Sequence, residues 1–303
     1  MNILLKAIKS PSKVGLKLLD RTAYLYPDKA FLKMKFRLRM HRKLDLENPR
    51  AYSDKLQWLK LYYRKPEFTQ MVDKVAAKDY VAKVIGEEYL IPTIGVYNSV
   101  EEIDWDKLPE RFVLKCAHDS GGIVICSDKS KLDIEAAKSK LAKGLKTDYY
   151  NQFREWPYKD VPRRLICEEY MVDESGFELK DYKFFCFDGD PKALFVASDR
   201  QVKGEETKFD FYDIEYNHLP FRNGHPNANH PIAKPAGFNE MVEIARKLSK
   251  GLPHARIDLY NVNGKIYFGE ITFFHWSGMM PFDPEEWDYK FGEWLTLPKI
   301  CQE

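Results

Sequence analysis

The sequence predicts an α+β fold that follows a basic, mostly helical N-terminal segment. Segments whose apolar residues recur at helical spacing alternate with runs rich in β-branched and aromatic residues. Two pairs of β-rich runs meet at Asp188-Gly189 and at Asn263-Gly264, and such dipeptides favour tight hairpin turns. The chain therefore combines helices with hairpins, and no internal repeat is visible.

The composition excludes a membrane-spanning helix and argues against a structural zinc site. The chain has 303 residues, of which 44% are hydrophobic and 31% charged. No run approaches the roughly 18 consecutive apolar residues that a spanning helix needs. The five cysteines form no CxxC pair and the seven histidines no HExxH pair, so a bound metal must have oxygen ligands, which favours Mg²⁺.

Positive charge is concentrated at the N-terminus, where residues 1–50 carry 13 Lys or Arg against 4 Asp or Glu. Residues 1–66 predict two or three short helices, and residues 33–43 fit either a strand or a helix with a solvated face. A solvated face is the interpretation we favour over a nucleic-acid or anionic-membrane surface. Lysines interrupt the first apolar stretch, whereas a signal peptide has an uninterrupted apolar core, so we expect a cytoplasmic protein. We expect no nucleic-acid partner. Contact of residues 1–45 with the inner face of the membrane is kept as an alternative.

A helix, a strand and a glycine loop follow this segment. Helical spacing predicts a helix at residues 73–86, and residues 111–117 read as a strand that ends in His-Asp-Ser-Gly-Gly. Lys115 closes the strand beside Gly121 and Gly122, where backbone N–H groups could approach a phosphate. On its own this pattern is more often a surface lysine.

The C-terminal half predicts further strands and one amphipathic helix. Residues 163–172 read as a buried strand, and a hairpin is expected around Asp188-Gly189. Residues 201–235 are turn-rich without usable periodicity, whereas residues 238–252 fit an amphipathic helix. The last two strands meet at Asn263-Gly264.

This last hairpin carries acidic residues within otherwise apolar strands. Buried carboxylates need partners, and Mg²⁺ held by Asp258 and Glu270 would supply one. A two-residue loop would pair Asp258 with Gly269 and turn Glu270 to the opposite face. The metal hypothesis therefore predicts an odd loop or a bulge at Gly264.

Four segments together resemble a known family. VDKVAAKDYVAKVIGEEYLIP, FVLKCAHDSGGI, ICEEYMV with LKDYKFFCF, and ARIDLYNVNGKIYFGEITFFHWSG occur in the order characteristic of ATP-grasp enzymes. More narrowly, they resemble the TupA-like ATP-grasp family, which is linked with teichuronopeptide and capsular polysaccharide synthesis. The resemblance implies two α+β subdomains that clasp ATP, at residues 67–171 and 172–303, behind the N-terminal segment 1–66.

The resemblance also implies roles for individual residues. Lys74 and Lys115 would contact the ATP phosphates, and the glycine loop would cover these phosphates. Backbone groups near residue 170 would bind adenine, and Asp181 would bind the ribose. The residues implied to bind the nucleotide are Lys74, Lys115, Ser120, Gly121, Gly122, Glu168, Glu169, Tyr170, Met171 and Asp181.

Metal binding and catalysis are implied for the last hairpin. Asp258, Glu270 and Thr272 would hold Mg²⁺, and Arg256 together with Lys115 would stabilise the charge of the transferring group. Many ATP-grasp enzymes have asparagine where this chain has Thr272, and a hydroxyl is the weaker Mg²⁺ ligand.

The implied activity is an ATP- and Mg²⁺-dependent ligase that forms a C–N bond between a carboxylate and an amine through an acylphosphate. Our specific expectation is an amino acid joined to a uronic-acid saccharide or a lipid-linked intermediate, with Arg200 and His275 contacting the substrate. One alternative is a glycosyltransferase that uses a nucleotide sugar through the DxD pattern Asp188-Gly189-Asp190, although a hairpin turn explains these residues better. Another is a membrane-peripheral scaffold without enzymatic activity.

Overall fold

The computed structural model describes residues 11–119, 121–200, 202 and 204–299. Its described part contains nine α-helices: α1 Pro11–Arg21, α2 Asp28–Met40, α3 Tyr52–Tyr62, α4 Glu67–Val72, α5 Ala77–Ile85, α6 Ile134–Leu145, α7 Tyr149–Phe153, α8 Phe238–Ser249 and α9 Glu286–Trp294. Short 3-10 turns lie at Ala23–Leu25, Glu87–Tyr89, Lys129–Lys131, Trp156–Tyr158 and His275–Gly278. The part of the predicted N-terminal helices before residue 11 lies outside the described residues.

Residues 33–43, for which a strand and a helix both fitted, are mainly helical. They belong to α2, whose buried side chains include Phe31, Leu32 and Phe36. These residues recur at the spacing of one helical face, and Lys33 and Arg37 beside them are exposed, whereas Lys35 is buried with this face. The helix ends at His41, whose φ of 56° is left-handed.

A smaller, antiparallel sheet has the order β1-β4-β2-β3, with β1 at Thr93–Tyr97, β2 at Phe112–Cys116, β3 at Ile123–Cys126 and β4 at Leu165–Glu169. Alternation along β2 buries Phe112, Leu114 and Cys116 in a core beneath α6, and turns Val113 and Lys115 to the opposite face. The period-2 pattern of the sequence thus decides which side of the sheet Lys115 occupies.

A larger antiparallel sheet has the order β11-β10-β5-β6-β7-β8. Its strands are β5 Asp181–Phe187, β6 Asp190–Ser198, β7 Lys208–Asp213, β8 His218–Leu219, β10 His254–Val262 and β11 Lys265–Thr272, while β9 Arg222–Asn223 pairs separately with β12 Phe282–Asp283. The predicted hairpin at Asp188-Gly189 is confirmed, and both of its turn residues have positive φ. Turn-rich residues 201–235 contain β7, β8 and β9.

The larger sheet is covered on both faces. Phe184 packs against Phe238 of α8, with ring centroids 5.9 Å apart, and Phe185 packs against Phe291 of α9 at 5.1 Å. Burial of each such side chain contributes about 1.5–3 kcal/mol. Helix α3 joins the same core through Tyr52, whose ring contacts Phe185. The domain boundaries at 66 and 171 stay predictions, with α3 packed on the C-terminal sheet.

None of the helices in the described residues has both the length and the apolarity that crossing a bilayer requires.

Candidate functional site

A cleft lies between the two sheets. Its walls come from the exposed face of β2 and β3, from the segment that follows β4, and from the larger sheet with its β6–β7 connection. The lining residues include Val113, Lys115, Ile123, Glu168, Glu169, Tyr170, Met171, Arg200 and Tyr260. Five residues implied for nucleotide binding therefore lie along one cleft, namely Lys115 and residues 168–171.

One wall of the cleft is cationic. The Glu168 carboxylate forms ion pairs with Lys115 and Lys78, each with an N···O distance of 2.6 Å. Burial opposes the ionisation of Glu168, yet the two lysine charges outweigh burial and lower the pKa of this carboxyl. Two positive charges thus share one negative charge. Sequence analysis missed Lys78, although its position in the first turn of α5 follows Lys74 by one helical turn.

Lys78 is fixed by more than Glu168. Its ammonium also donates to the carbonyl of Ile91 at 2.6 Å and to the Thr93 hydroxyl at 2.7 Å. Burial lowers the pKa of Lys78, and the charge of Glu168 opposes that effect. Because its donors are directed inward, Lys78 holds Glu168 rather than reaching into the cleft.

The end of β4 and the two residues after it line the cleft. The N–H of Glu169 donates to the carbonyl of Pro92, which ties the segment to the strand-like residues before β1. The guanidinium of Arg111 lies 5.5 Å from the centre of the Tyr170 ring. Tyr170 and Met171 thereby occupy the cleft wall, and their proposed contact with adenine stays a prediction.

The glycine loop is arranged differently from a simple phosphate cradle. The Asp119 carboxylate accepts hydrogen bonds from the N–H groups of Gly121 at 3.2 Å and Gly122 at 3.0 Å. Lys74 donates to the carbonyl of Asp119 at 2.6 Å. A side chain at Gly122 would clash with Cys116 Sγ, so this position requires glycine. Phosphate binding by these N–H groups would have to displace Asp119, and Ser120 lies outside the described residues.

The predicted bulge exists, but its position was wrong. The loop at Asn263-Gly264 has two residues, and Val262 pairs with Lys265 directly across it. The register shifts instead between Asp258 and Leu259, opposite Gly269. This bulge places Asp258 directly opposite Glu270, so both carboxylates lie on one face.

Glycine at position 269 explains why the bulge forms there. A Cβ at that position would lie 3.0 Å from the carbonyl oxygen of Asp258 and 3.1 Å from the Tyr260 ring. Both distances are shorter than ordinary van der Waals contact, so a larger residue would push the two strands apart.

Arg256 connects the carboxylates on this face. It donates to both oxygens of Asp258, each at 2.7 Å, and to Glu270 at 3.1 Å. It also donates to the hydroxyl of Thr272 at 3.0 Å. The fork of the guanidinium therefore links three of the predicted catalytic and metal positions.

The surroundings shift the pKa values of Asp258 and Glu270 in opposite directions. Burial raises the pKa of Asp258 to about 6, although Arg256 and Lys183 act against it. For Glu270 the burial effect is outweighed by Lys183, Lys74 and Arg256, and its pKa is lowered. Glu270 therefore stays ionised, and the charges of Glu270 and Lys74 act on each other.

Lys183 and Arg200 complete the charge balance. Lys183 pairs with Asp258 and, at 2.6 Å, with Asp181, which Arg200 contacts at 3.0 Å. The Oδ1 atom of Asp181 is buried without a hydrogen-bond partner. Arg200 thus lies at the cleft, and its contact with a substrate stays a prediction. Sequence analysis missed Lys183, although alternation along β5 places it on the same face as Asp181.

The predicted substrate contact of His275 is not supported by its position. The ring is buried, accepts at Nδ1 from Arg256 at 2.8 Å, and donates from Nε2 to Asn223 Oδ1 at 2.9 Å. Arginine is always a donor, which fixes this tautomer. Burial first, and then the charge of Arg256, lower the pKa of His275, so the ring stays neutral. His275 positions Arg256 instead of facing a substrate.

A buried network supports the turn that carries His275. Trp276 and Ser277 have φ values of 47° and 56°, in the left-handed region that is strained for such residues. The carbonyl of Ser277 accepts from Lys60 at 2.8 Å and from Gln57 at 2.9 Å, and its hydroxyl contacts Glu155. No sequence motif pointed to this network, because its members come from distant segments.

The donor set fits Mg²⁺ and ATP in part. Among the described residues, no group of three or more His, Cys, Asp and Glu side chains could enclose a metal ion. Mg²⁺ commonly binds one or two carboxylates and takes its other ligands from phosphate and water, which suits Asp258 and Glu270. The unpaired oxygen of Asp181, behind Arg200 of the cleft wall, suits a ribose hydroxyl donor.

A family model described as TupA-like ATPgrasp matches residues 54–296. No curated protein matches the chain. Similar solved structures include D-alanine–D-alanine ligase from Bacillus anthracis complexed with ATP, which is 17% identical, with 73% of this chain and 57% of that chain covered and a TM-score of 0.41.

Two further structures are similar over part of their length. The ATP-grasp ligase PsnB complexed with minimal precursor is 9% identical, with 81% and 63% of the two chains covered and a TM-score of 0.40. N5-carboxyaminoimidazole synthase from Aspergillus clavatus is 14% identical, with 70% and 46% covered and a TM-score of 0.39. The chain spans less than two thirds of the length of each of these three proteins.

Proposed function

The chain belongs to the TupA-like ATP-grasp family, and we propose on that basis that it is an ATP- and Mg²⁺-dependent ligase that joins a carboxylate to an amine. One observation carries this proposal. Lys115 lines the cleft together with Tyr260 of β10, and the charges of both Lys115 and Glu270 act on Lys74. Asp258, two residues before Tyr260, lies opposite Glu270. A nucleoside triphosphate needs positive charge along its phosphates and oxygen ligands for its metal ion, and the lysines and this carboxylate pair offer both.

In the proposed reaction, a carboxylate oxygen attacks the γ-phosphorus of ATP, and ADP leaves. The amine nitrogen then attacks the acyl carbon, loses a proton, and inorganic phosphate leaves. Mg²⁺, when bound, would neutralise charge on the phosphate oxygens. Lys115 would orient the phosphates, and Arg256 would stabilise charge at the transferring group, because His275 and Asp258 hold its guanidinium in place.

The nucleotide would lie with its base against Tyr170, Met171 and Val113, and with its ribose near Asp181. Arg200 would switch between its ion pair with Asp181 and a substrate carboxylate, since its side chain is 45% exposed. Support for a role in capsule or teichuronopeptide synthesis, with an amino acid and a uronic-acid saccharide as substrates, comes from the family association.

The glycosyltransferase alternative finds less support. Asp188 and Gly189 form the turn of the β5–β6 hairpin, one strand length away from Asp181 at the cleft. Asp190 forms ion pairs with Lys192 and Arg246. A metal ion that binds a nucleotide sugar at Asp190 would have to break both ion pairs. This site also lacks the lysines that line the cleft.

An ADP-release screen over amino acids and uronic acids tests the proposal. ADP release that requires both a carboxylate and an amine, and that disappears in Asp258→Asn and Lys115→Ala, supports it. The matched controls are Asp190→Asn and Lys265→Ala, which change residues beside the hairpin turns, away from the cleft. Both should retain turnover. Loss of activity in Asp190→Asn with full activity in Asp258→Asn would instead support the glycosyltransferase alternative.

A further inference from the structure

Exposed apolar side chains are concentrated at the N-terminal helices. Of the ten large hydrophobic side chains that are exposed in the described residues, four lie within residues 18–26. They are Leu18, Tyr24, Leu25 and Tyr26, with 64%, 77%, 61% and 36% of their surface exposed. Single exposed hydrophobic residues are ordinary, but a cluster of this density marks an interaction surface.

A groove of about 500 Å³ continues this cluster between α1 and α2. Leu18, Leu19, Met34 and Leu38 line it, and the basic residue Arg37 lies at its edge. Helix α1 therefore buries only part of its apolar surface against α2. We call α1, residues 24–26 and this groove the N-terminal surface.

The charge of the N-terminal surface is strongly positive. Residues 11–43, which include this surface, contain ten Lys or Arg and two Asp or Glu, a difference of +8; of the ten, Lys35 is buried and Arg42 pairs with Asp54 and Asp288. Both acidic residues are paired with cations, because Asp20, which is exposed, pairs with buried Lys35, and half-buried Asp28 pairs with Arg64 and Arg154.

The basic residues of α1 remain directed to solvent. Lys13, Lys17 and Arg21 are exposed, and none of them forms an ion pair with a described carboxylate. Spacing of four residues places them in one stripe beside Leu18. The surface therefore presents a row of positive charge next to an apolar cluster.

We propose that the N-terminal surface docks the protein onto an anionic lipid membrane. Leu18, Tyr24 and Leu25 would enter the boundary between head groups and acyl chains, and the lysines and arginine of α1 would contact the anionic head groups. A nucleic acid would satisfy only the positive charge, whereas a lipid surface satisfies both the charge and the apolar cluster.

Co-sedimentation of the full chain with vesicles tests this proposal. Vesicles that contain phosphatidylglycerol should bind the protein at least about tenfold more tightly than pure phosphatidylcholine vesicles, and high salt should remove this difference. The variants Leu18→Ser/Tyr24→Ser/Leu25→Ser and Lys13→Glu/Lys17→Glu/Arg21→Glu should each lose at least about tenfold in affinity.

Matched controls alter the same residue types elsewhere on the surface. Val96→Ser/Phe177→Ser/Tyr289→Ser changes exposed apolar residues, and Lys140→Glu/Lys247→Glu/Lys250→Glu changes exposed lysines. Both should bind vesicles like the unaltered chain, and all variants should keep its melting temperature. Loss of binding in the controls to the same degree, or equal binding to both vesicle types, would overturn the proposal. So would a dimer in sedimentation that the apolar variant alone dissociates, or tight binding of duplex DNA without vesicle binding.

Discussion

The two sides of the cleft hold their charges in opposite ways. On the smaller sheet, Lys115 and Lys78 share the single carboxylate of Glu168, which leaves an excess of positive charge. On the larger sheet, the carboxylates of Asp181, Asp258 and Glu270 are matched by three cations, Arg256, Lys183 and Arg200. The first side carries an unmatched positive charge, and on the second the proposed metal ion would compete with Lys183 for Asp258.

Removal of Arg256 should have the largest effect on stability. Arg256→Met leaves Asp258, which is fully buried, with one cation instead of two, and the expected cost is about 3–5 kcal/mol. Lys115→Met should cost less, about 1–2 kcal/mol, because Lys78 still holds Glu168. Urea unfolding of both variants measures the difference. Equal losses would contradict the contrast between the two sides.

Gly269→Ala should have the next largest effect. Its Cβ would lie against the Asp258 carbonyl and the Tyr260 ring, so the expected destabilisation is about 1–3 kcal/mol. Gly121→Ala is a matched control, because a Cβ there meets no atom within 4 Å. Thermal unfolding compares the two variants. A stable Gly269→Ala that retains Mg²⁺-dependent ATP binding would show that the bulge does not set the carboxylate pair.

Glu168→Gln should change how the free energy of unfolding depends on pH, relative to the unaltered chain. We expect this change to be the smallest of the three effects on stability. The pKa of Glu168 is lower in the folded chain than its unfolded value of about 4.3, so its ion pairs stabilise the fold above that pH. This contribution is lost as the pH falls through the folded pKa. We expect the stability difference between the unaltered chain and Glu168→Gln to shrink on acidification below about pH 4.3, as measured by urea unfolding. A constant difference would argue against the lysine pairs.

Local sequence patterns predicted part of one side of the cleft. They placed Lys115 near the end of a strand directly before the glycines, and the structure has it in β2 with its side chain lining the cleft. The identity of its partners was not predictable in the same way, because Lys78 reaches Glu168 from a separate helix. Contacts of this kind depend on how helices and sheets pack, which no local period encodes.

The larger sheet shows the same limit more sharply. The acidic hairpin and its need for a bulge followed from the spacing of Asp258 and Glu270, yet the bulge forms at Gly269 rather than at Gly264. The two-residue turn is satisfied by Asn263 and Gly264 with positive φ, so the extra residue is accommodated farther along the strand. His275 likewise appeared suited to a substrate, and only its burial against Arg256 and Asn223 revealed a positioning role.

ATP affinity measured by calorimetry with and without Mg²⁺ is the most direct test of the two proposed roles, phosphate binding by Lys115 and metal binding by Asp258 and Glu270. We expect that Mg²⁺ tightens ATP binding to the unaltered chain, that Asp258→Asn loses this gain while it still binds ATP, and that Lys115→Met weakens binding under both conditions. If Asp258→Asn kept the full gain from Mg²⁺, the carboxylate pair would not be the metal site.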